Sequence, residues 1–435
     1  MKLTRRSFLG TTGLAGVALA GARGLGATEL AVAQADLRRP TGAVDIVARD
    51  ESYWERVAAT YRVPSGHTNL EAGYFGMMAA PVLAAYHRHI DRVNMESSYY
   101  VRRQYAADAE AVRTRTAKFL GATPGEIVIT RGATEALQRL IVQYNKIGPG
   151  DEVMYADLDY NAMQFAMNSL VARRGATVAM LDIPEPATRD NVLAAYAAAL
   201  KAHPRVKLLL LTHLNNKTGL VIPVKEIVAL ARAQGADVVV DAAHSFGQMD
   251  LTLDDLGADF VGCNLHKWIG APVGVGVMYI KAGRLADVDR MLGDEGSPAD
   301  IDSRLHTGTT NFATTLTVPA AIDFHEAVGG SYKAARIRYL RDRWVSAVRG
   351  TRGVDILTPD ERDMVAGITS FRIRGRVGRD DNQAVAAELL DRYGLFTVWR
   401  TGLSGGDCVR VTPALYNTPA HADRLAEALT AIAGR

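Results

Sequence analysis

The chain has 435 residues, 48% of them hydrophobic and 22% charged, which suits one large domain with a smaller one beside it and excludes a disordered or fibrous protein. Its formal net charge of +3 comes from residues 1–35, where Lys2, Arg5, Arg6 and Arg23 outweigh Glu29. Beyond them 46 basic residues face 46 acidic ones, so no basic field argues for a nucleic-acid partner.

Taken in order, Thr4-Arg5-Arg6-Ser7-Phe8-Leu9 precedes a weakly apolar Gly/Ala-rich run from Gly10 to Ala22, and Ala31-Val32-Ala33 offers a small-residue cleavage site. Residues 1–33 therefore read as a twin-arginine signal, delivering the folded protein to the periplasm through the twin-arginine translocation machinery. The run is too short and too weakly apolar for a stable transmembrane helix, which needs about 20 strongly apolar residues. Residues 34–68 read as an N-terminal segment, with a helix over Ala43–Tyr61 that packs with the small domain. A large domain is expected over residues 69–325, with one charged helix at Tyr99–Ala117 whose Arg102, Arg103 and Arg113 make a solvated face.

Within the large domain, strands and helices alternate. The short strand Glu126–Thr130 runs through Arg131-Gly132-Ala133-Thr134 into a helix with Leu137, Leu140, Ile141 and Tyr144 on one face. Such a turn is an anion site, because free N–H groups and the positive dipole end point outward together. A strand at Asp151–Ala156 leads to Tyr160. The apolar run Val206–Thr212 reads as a central parallel strand and leads to Asn216. A helix from Pro223 to Ala233 follows.

Two further buried strands come next. Asp241 closes Val238-Val239-Val240, and Phe260-Val261-Gly262-Cys263 leads into Asn264-Leu265-His266-Lys267, with His244 three residues after Asp241. Asp241 and Lys267 lie 26 residues apart, room for one connection between neighbouring strands. Polar groups at the carboxyl ends of strands face the ligand crevice of an α/β sheet. An Asp and a Lys there are also the makings of an ordinary ion pair.

From about Glu326 to the end, residues 326–435 read as a smaller α+β unit. Its elements are helices at Tyr332–Val348, Asn382–Tyr393 and Ala420–Ile432 and strands at Gly367–Ile373, Phe396–Arg400 and Cys408–Thr412. Arg410 sits among apolar strand residues, where a guanidinium needs a carboxylate partner and clamps it bidentately. Cys263 and Cys408 are the only cysteines. They make a disulfide framework or a cysteine metal site improbable and read more simply as buried thiols than as one bridge.

The pattern Asp-Ala-Ala-His at 241–244, Asn-Leu-His-Lys-Trp at 264–268 and the glycine-rich strand from Gly270 onward resembles the class V aminotransferase family. That family includes cysteine desulfurases and isopenicillin N epimerase-like proteins. The likeness extends from about Leu70, where Asn69–Gly76 resembles the segment opening the large domain. It implies the pyridoxal phosphate (PLP) fold type I, an α/β large domain with a mostly parallel seven-stranded sheet and a smaller α+β domain.

It also implies roles for individual residues. Lys267 would form the Schiff base and act as general base, while Asp241 keeps the pyridine nitrogen protonated. Gly132, Ala133, Thr134 and His266 would hold the phosphate, Tyr160 would cover the ring, and Asn216 and His244 would reach the phenolic oxygen. Thr309, in a turn resembling the family's Gly-Thr-Pro-Asn, would reach the phosphate of a partner subunit, making the protein an obligate homodimer. Arg410 would bind the substrate α-carboxylate, with Arg400 assisting.

The expected activity is aminotransferase-like chemistry on an amino acid or amino-acid-derived metabolite, with an epimerase-like racemase or C–S lyase as the alternative. A protein that only binds a ligand would be expected to lose Lys267 or Asp241. A desulfurase needs a nucleophilic cysteine on the loop 401–407, which has none. An exported PLP enzyme that tailors the glutamyl side chain of pyoverdine siderophores is similar in combining this signal with this fold.

Overall fold

The computed structural model describes residue 37, residues 39–305 and residues 308–434. The twin-arginine segment and the His306-Thr307 pair lie outside the described residues. Two short helices come first, α1 (Val44–Val47) and α2 (Glu51–Ala58). They replace the single helix expected over 43–61 because Asp50 interrupts it: its carboxylate accepts the Tyr53 N–H at 3.3 Å and caps α2. Glu51 then pairs with the guanidinium of buried Arg336, which also lies over the Trp54 ring.

After β1 (Thr68–Asn69) come α3 (Ala80–Arg103) and α4 (Tyr105–Leu120), which meet at Gln104. A single helix at Tyr99–Ala117 was expected, so the sequence reading missed most of α3. The alternation follows as β2 (Ile127–Thr130), α5 (Ala133–Val142), β3 (Glu152–Ala156), α6 (Asn161–Arg174), β4 (Thr177–Leu181) and α7 (Arg189–Ala202). It continues with β5 (Val206–Thr212), α8 (Val224–Ala233), β6 (Asp237–Asp241), α9 (Leu253–Leu256), β7 (Phe260–Asn264) and β8 (Gly276–Ile280). Helix α10 (Phe312–Val328) packs on α3 and α4, and spans residue 326, where the smaller unit was expected to begin.

The seven strands form one sheet in the order β2-β8-β7-β6-β5-β3-β4. Only β8 runs against its neighbours. Helices cover both faces, so central strands lose water on both sides and read as unbroken apolar runs. Leu208, Leu209, Leu210 and Leu211 of β5 are all fully buried. Gly262 of β7 lets α5 come close, since a Cβ there would meet Leu137 Cγ at 2.6 Å.

The C-terminal region holds α11 (Gly330–Val348), β9 (Val354–Ile356), β10 (Thr369–Ile373), α12 (Arg379–Tyr393), β11 (Leu395–Phe396), β12 (Val398–Arg400), β13 (Cys408–Val411) and α13 (Pro419–Ala433). Its antiparallel sheet has the order β12-β13-β10-β9, and α11, α12 and α13 contribute to the core beneath it. The chain between β1 and α3 ties the two regions together. β1 pairs in parallel with β11, Glu71 bridges to Thr412, and the Gly76 N–H donates to the His266 carbonyl at 2.8 Å.

That last contact leaves no room for a side chain, because a Cβ on Gly76 would lie 1.8 Å from the Lys267 carbonyl oxygen. Gly76→Ala must therefore push the 73–76 segment off the lysine loop. We expect a fall in unfolding midpoint equivalent to about 2 kcal/mol or more. Gly125→Ala, where nothing lies within 4 Å, should leave the midpoint unchanged in the same calorimetric comparison.

Candidate active site

A cavity of about 960 Å³ opens where the carboxyl ends of β5, β6 and β7 meet the N-terminus of α5 and the β12–β13 edge of the smaller sheet. The parallel register sets Thr212 beside Asp241 and Asp241 beside Gly262, so Asp241 ends its strand at the cavity floor. It is 3% exposed, and its Oδ1 accepts the Ala243 N–H at 2.9 Å. Burial pushes its carboxyl above the usual range, with the nearby Lys267 pulling the other way. A carboxylate so placed calls for a cationic partner inside the cavity.

Lys267 follows β7 and lines the same cavity. Its Nζ is 2.9 Å from His244 Nε2, and the Trp268 indole N–H lies 3.2 Å from His244 Nδ1. Indole nitrogen can only donate, so His244 Nδ1 accepts and the neutral ring carries its proton on Nε2. Burial holds His244 neutral, well below its ordinary range. The Nε2–H must then donate to Lys267, which requires a lone pair on Nζ. Desolvation acts in the same direction and brings Lys267 down from 10.5 to about 8. Lys267 thus gives up its proton well below the usual range of an amine, which leaves a nucleophilic fraction near neutrality. Trp268 was legible in the motif, but its hydrogen-bonding role was not.

The N-terminus of α5 opens into the cavity, and its N-cap residue Gly132 has no side chain to cap it. Gly132 there has φ 155°, and a Cβ on it would crowd Asn264 Oδ1 and His266 Cε1 at 3.2 and 3.3 Å. The Ala133 N–H donates to Asn264 Oδ1 at 2.7 Å, a tie from the end of β7 that the sequence reading did not assign. His266 donates through Nδ1 to the Val275 carbonyl at 2.8 Å, because a carbonyl can only accept. Thr134 is exposed at the rim, and the first turn of α5 and His266 make a cradle suited to an anion.

Tyr160 immediately precedes α6 and is 42% exposed at the cavity mouth. Asp159 pins its loop to β5 by accepting the Thr212 N–H at 2.9 Å and hydroxyl at 2.7 Å. Asn216 lines the cavity, and its buried Oδ1 has no partner among the described residues. Such an orphaned acceptor is a place for a ligand donor.

Arg400 and Arg410 approach from the smaller sheet. The Arg410 guanidinium already has a carboxylate: Nη2 donates to Glu71 Oε1, and Nη1 donates to the Asn216 carbonyl at 2.7 Å. Glu71 was the acidic residue that sequence reasoning missed, since nothing in the 69–76 stretch marks which carboxylate lies across from β13. Thr309 is exposed and does not line this cavity. Cys263 and Cys408 are both free, buried thiols, with burial pushing them up to about 12 and about 11.

These contacts fix the sign of a pH response. Labelling of Lys267 by an amine-directed reagent, read by peptide mass spectrometry, should rise through a step centred at about pH 8 rather than at 10.5, since only the unprotonated amine reacts. Trp268→Phe frees His244 to accept from a charged lysine, so the step should move upward.

The Aminotransferase class-V family model matches residues 79–425. The isopenicillin N epimerase of Streptomyces clavuligerus is 28% identical over 407 residues, covering 88% of this chain and 98% of that protein. A probable cysteine desulfurase of Vibrio cholerae is 26% identical over 362 residues, covering 79% of this chain and 87% of its own. Among solved structures, the apo cysteine desulfurase of Thermococcus onnurineus NA1 superposes with TM-score 0.75 at 21% identity, covering 87% of this chain and 98% of that one. The Escherichia coli desulfurase CsdA gives 0.72 at 21%, covering 86% and 97%. Strand ends, anion cradle and sequence agree: the chain belongs to the class V aminotransferase family of pyridoxal phosphate enzymes.

Proposed function

We propose that this protein is a periplasmic pyridoxal phosphate enzyme that moves the amino group of an amino acid or an amino-acid-derived metabolite. The observation that carries the reading is the Lys267 amine, held against His244 Nε2 and facing the same cavity as buried Asp241. The polar groups fit the cofactor: the α5 N-terminus for the phosphate, the orphaned Asn216 Oδ1 for a polar substituent, and a buried carboxylate for the ring nitrogen. When bound, the cofactor supplies an electron-accepting ring that stabilises negative charge on the substrate carbon.

Each residue then has a task. Lys267 would attach the cofactor, and its amine is placed to move the proton at the substrate's α carbon. Asp241 would hold a proton at the ring nitrogen. Gly132, Ala133, Thr134 and His266 would hold the phosphate, His244 and Asn216 would meet the phenolic oxygen, and Tyr160 would cover one ring face. Arg400 and Arg410 form the cationic wall that receives a substrate carboxylate. Sulfur transfer is not part of the reading, because Cys408 is fully buried, its Sγ faces the Lys217 carbonyl at 3.7 Å, and its thiol is raised to about 11.

Two further features complete the proposal. Residues 1–33 carry the twin-arginine pattern, which supports export of the folded, loaded enzyme. Ile90, Met95 and Tyr99 on α3 are exposed, which supports a homodimer in which Thr309 serves the partner's site. Epimerisation is the second reading, favoured by the epimerase relative that spans 88% of the chain.

The test uses PLP-loaded protein mixed with L-amino acids in deuterated water. Amino transfer predicts a 2-oxo acid in proportion to enzyme and a lasting loss of the visible band. Deuterium at the α carbon and the D-isomer, with no oxo acid, would establish epimerisation instead. Asp241→Asn should still load but lose turnover by on the order of 10²-fold or more, and sedimentation should give twice the chain's mass.

A further inference from the structure

Lys333, near the start of α11, is a buried amine that sits away from the main cavity. Its Nζ donates to the Trp268 carbonyl and lies 3.5 Å from Nδ1 of His325 on α10. Among the described residues no carboxylate draws on it, and burial alone brings its amine down from 10.5 to about 7. Burying an amine without a counter-charge is costly. The contact made in exchange is with the residue that follows Lys267.

The backbone around Lys267 is held at several points. The His266 carbonyl accepts the Gly76 N–H at 2.8 Å, and the Ala271 N–H donates to the Leu265 carbonyl at 3.1 Å. Gly247 closes on the 268–269 peptide, where a Cβ would lie 2.7 Å from the Trp268 carbonyl carbon and 2.8 Å from the Ile269 nitrogen. Lys333 takes the oxygen of that same peptide from α11. From this fixed backbone the Trp268 indole N–H reaches His244 Nδ1 at 3.2 Å, and His244 Nε2 lies 2.9 Å from Lys267 Nζ. A separate cavity of about 30 Å³ lies among Lys267, Trp268, Lys333, Tyr61 and Tyr416. Packing is therefore slack on that side, and the Lys333 hydrogen bond is what fixes the peptide there.

We propose that Lys333 is a positioning residue for Lys267: by holding the Trp268 carbonyl it sets the indole N–H on His244, and through His244 it presents the Lys267 amine with a donor instead of an acceptor. The groups that face Lys333 are His325 from α10, Tyr61 and Tyr416 at the small cavity, and Lys267 across it. Asp250 stands behind His325, since a Cβ on Gly330 would lie 2.7 Å from Asp250 Oδ1 and 3.2 Å from His325 Nε2. An amine carries N–H donors with or without its extra proton, so the hold persists through the titration of Lys333. The role matters for turnover only on the reading above, in which Lys267 is the reactive lysine.

The test is the pH profile of Lys267 labelling in the full chain without cofactor, read by peptide mass spectrometry, with the wild-type step at about 8. Lys333→Met keeps the apolar stem and loses the donor, and should move the step upward by about half a pH unit or more. Lys333→Gln keeps a donor without the charge and should leave the step near the wild-type position. In a Trp268→Phe background, where the relay is already cut, Lys333→Met should add no further shift. Lys333→Leu, also without a donor, replaces Lys333→Met if that variant does not fold. An unchanged step in Lys333→Met would overturn the inference. So would equal shifts in Lys333→Met and Lys333→Gln, which mark a charge effect, or a shift that adds to that of Trp268→Phe. Because no cofactor is present, failure of wild type to take up pyridoxal phosphate would overturn the reading beneath it and leave these outcomes decisive for Lys333.

Discussion

One amine must give up its proton far more readily than lysine does in water. Lysine in water is charged at neutral pH and cannot attack a carbonyl carbon, so the site depends on what surrounds Lys267 Nζ. Two effects combine there. Burial removes the water that would stabilise an ammonium, and the Trp268–His244 chain aims a proton at Nζ instead of accepting one from it. Asp241 opposes both, and its attraction limits the shift. The balance leaves an amine that is reactive near neutrality yet able to take up a proton during turnover.

The fold makes this arrangement possible by geometry alone. A parallel pair of strands brings both carboxyl ends to one edge, so Asp241 and Lys267 share a cavity although a whole connection separates them. The α5 N-terminus reaches the same edge because β2 is joined to it by a turn with no side chain at Gly132. The smaller sheet supplies cations without crossing the larger one, and the chain from β1 to α3 is the strap that holds the two faces of the cavity together.

Much of this was legible in the sequence, for physical reasons. Strands buried on both faces must be apolar throughout, so Val206–Thr212 and Val238–Val240 stood out. Polar residues at or just past strand ends were conspicuous by contrast, which is why Asp241 and Lys267 stood out; His244 and Asn216 were named from the family resemblance, and all four line one cavity. Local capping was harder to see. Asp50 splits a segment that periodicity joins, and α3 carries a kink at Ser97, φ 49°, with no glycine or proline to announce it. Hardest of all were contacts between distant segments. Glu71 lies 339 residues from Arg410, and only the folded chain shows that a carboxylate is already waiting there. The cysteines were read as buried thiols, and both are free.

The central claim is that Lys267, and not the buried Lys217 or Lys333, is the lysine that bonds the cofactor. Lys217 donates to the carbonyls of Asp157 and Gly402 at 2.5 and 3.3 Å, and Lys333 donates to that of Trp268, so both amines are engaged as structural donors. Loading the protein with pyridoxal phosphate, reducing it with borohydride and mapping its peptides by mass spectrometry decides the matter. The account predicts the pyridoxyl mass on the peptide that carries Lys267 and nowhere else in stoichiometric amount. Finding it on Lys217 or Lys333, or finding no stable adduct at all, would contradict it.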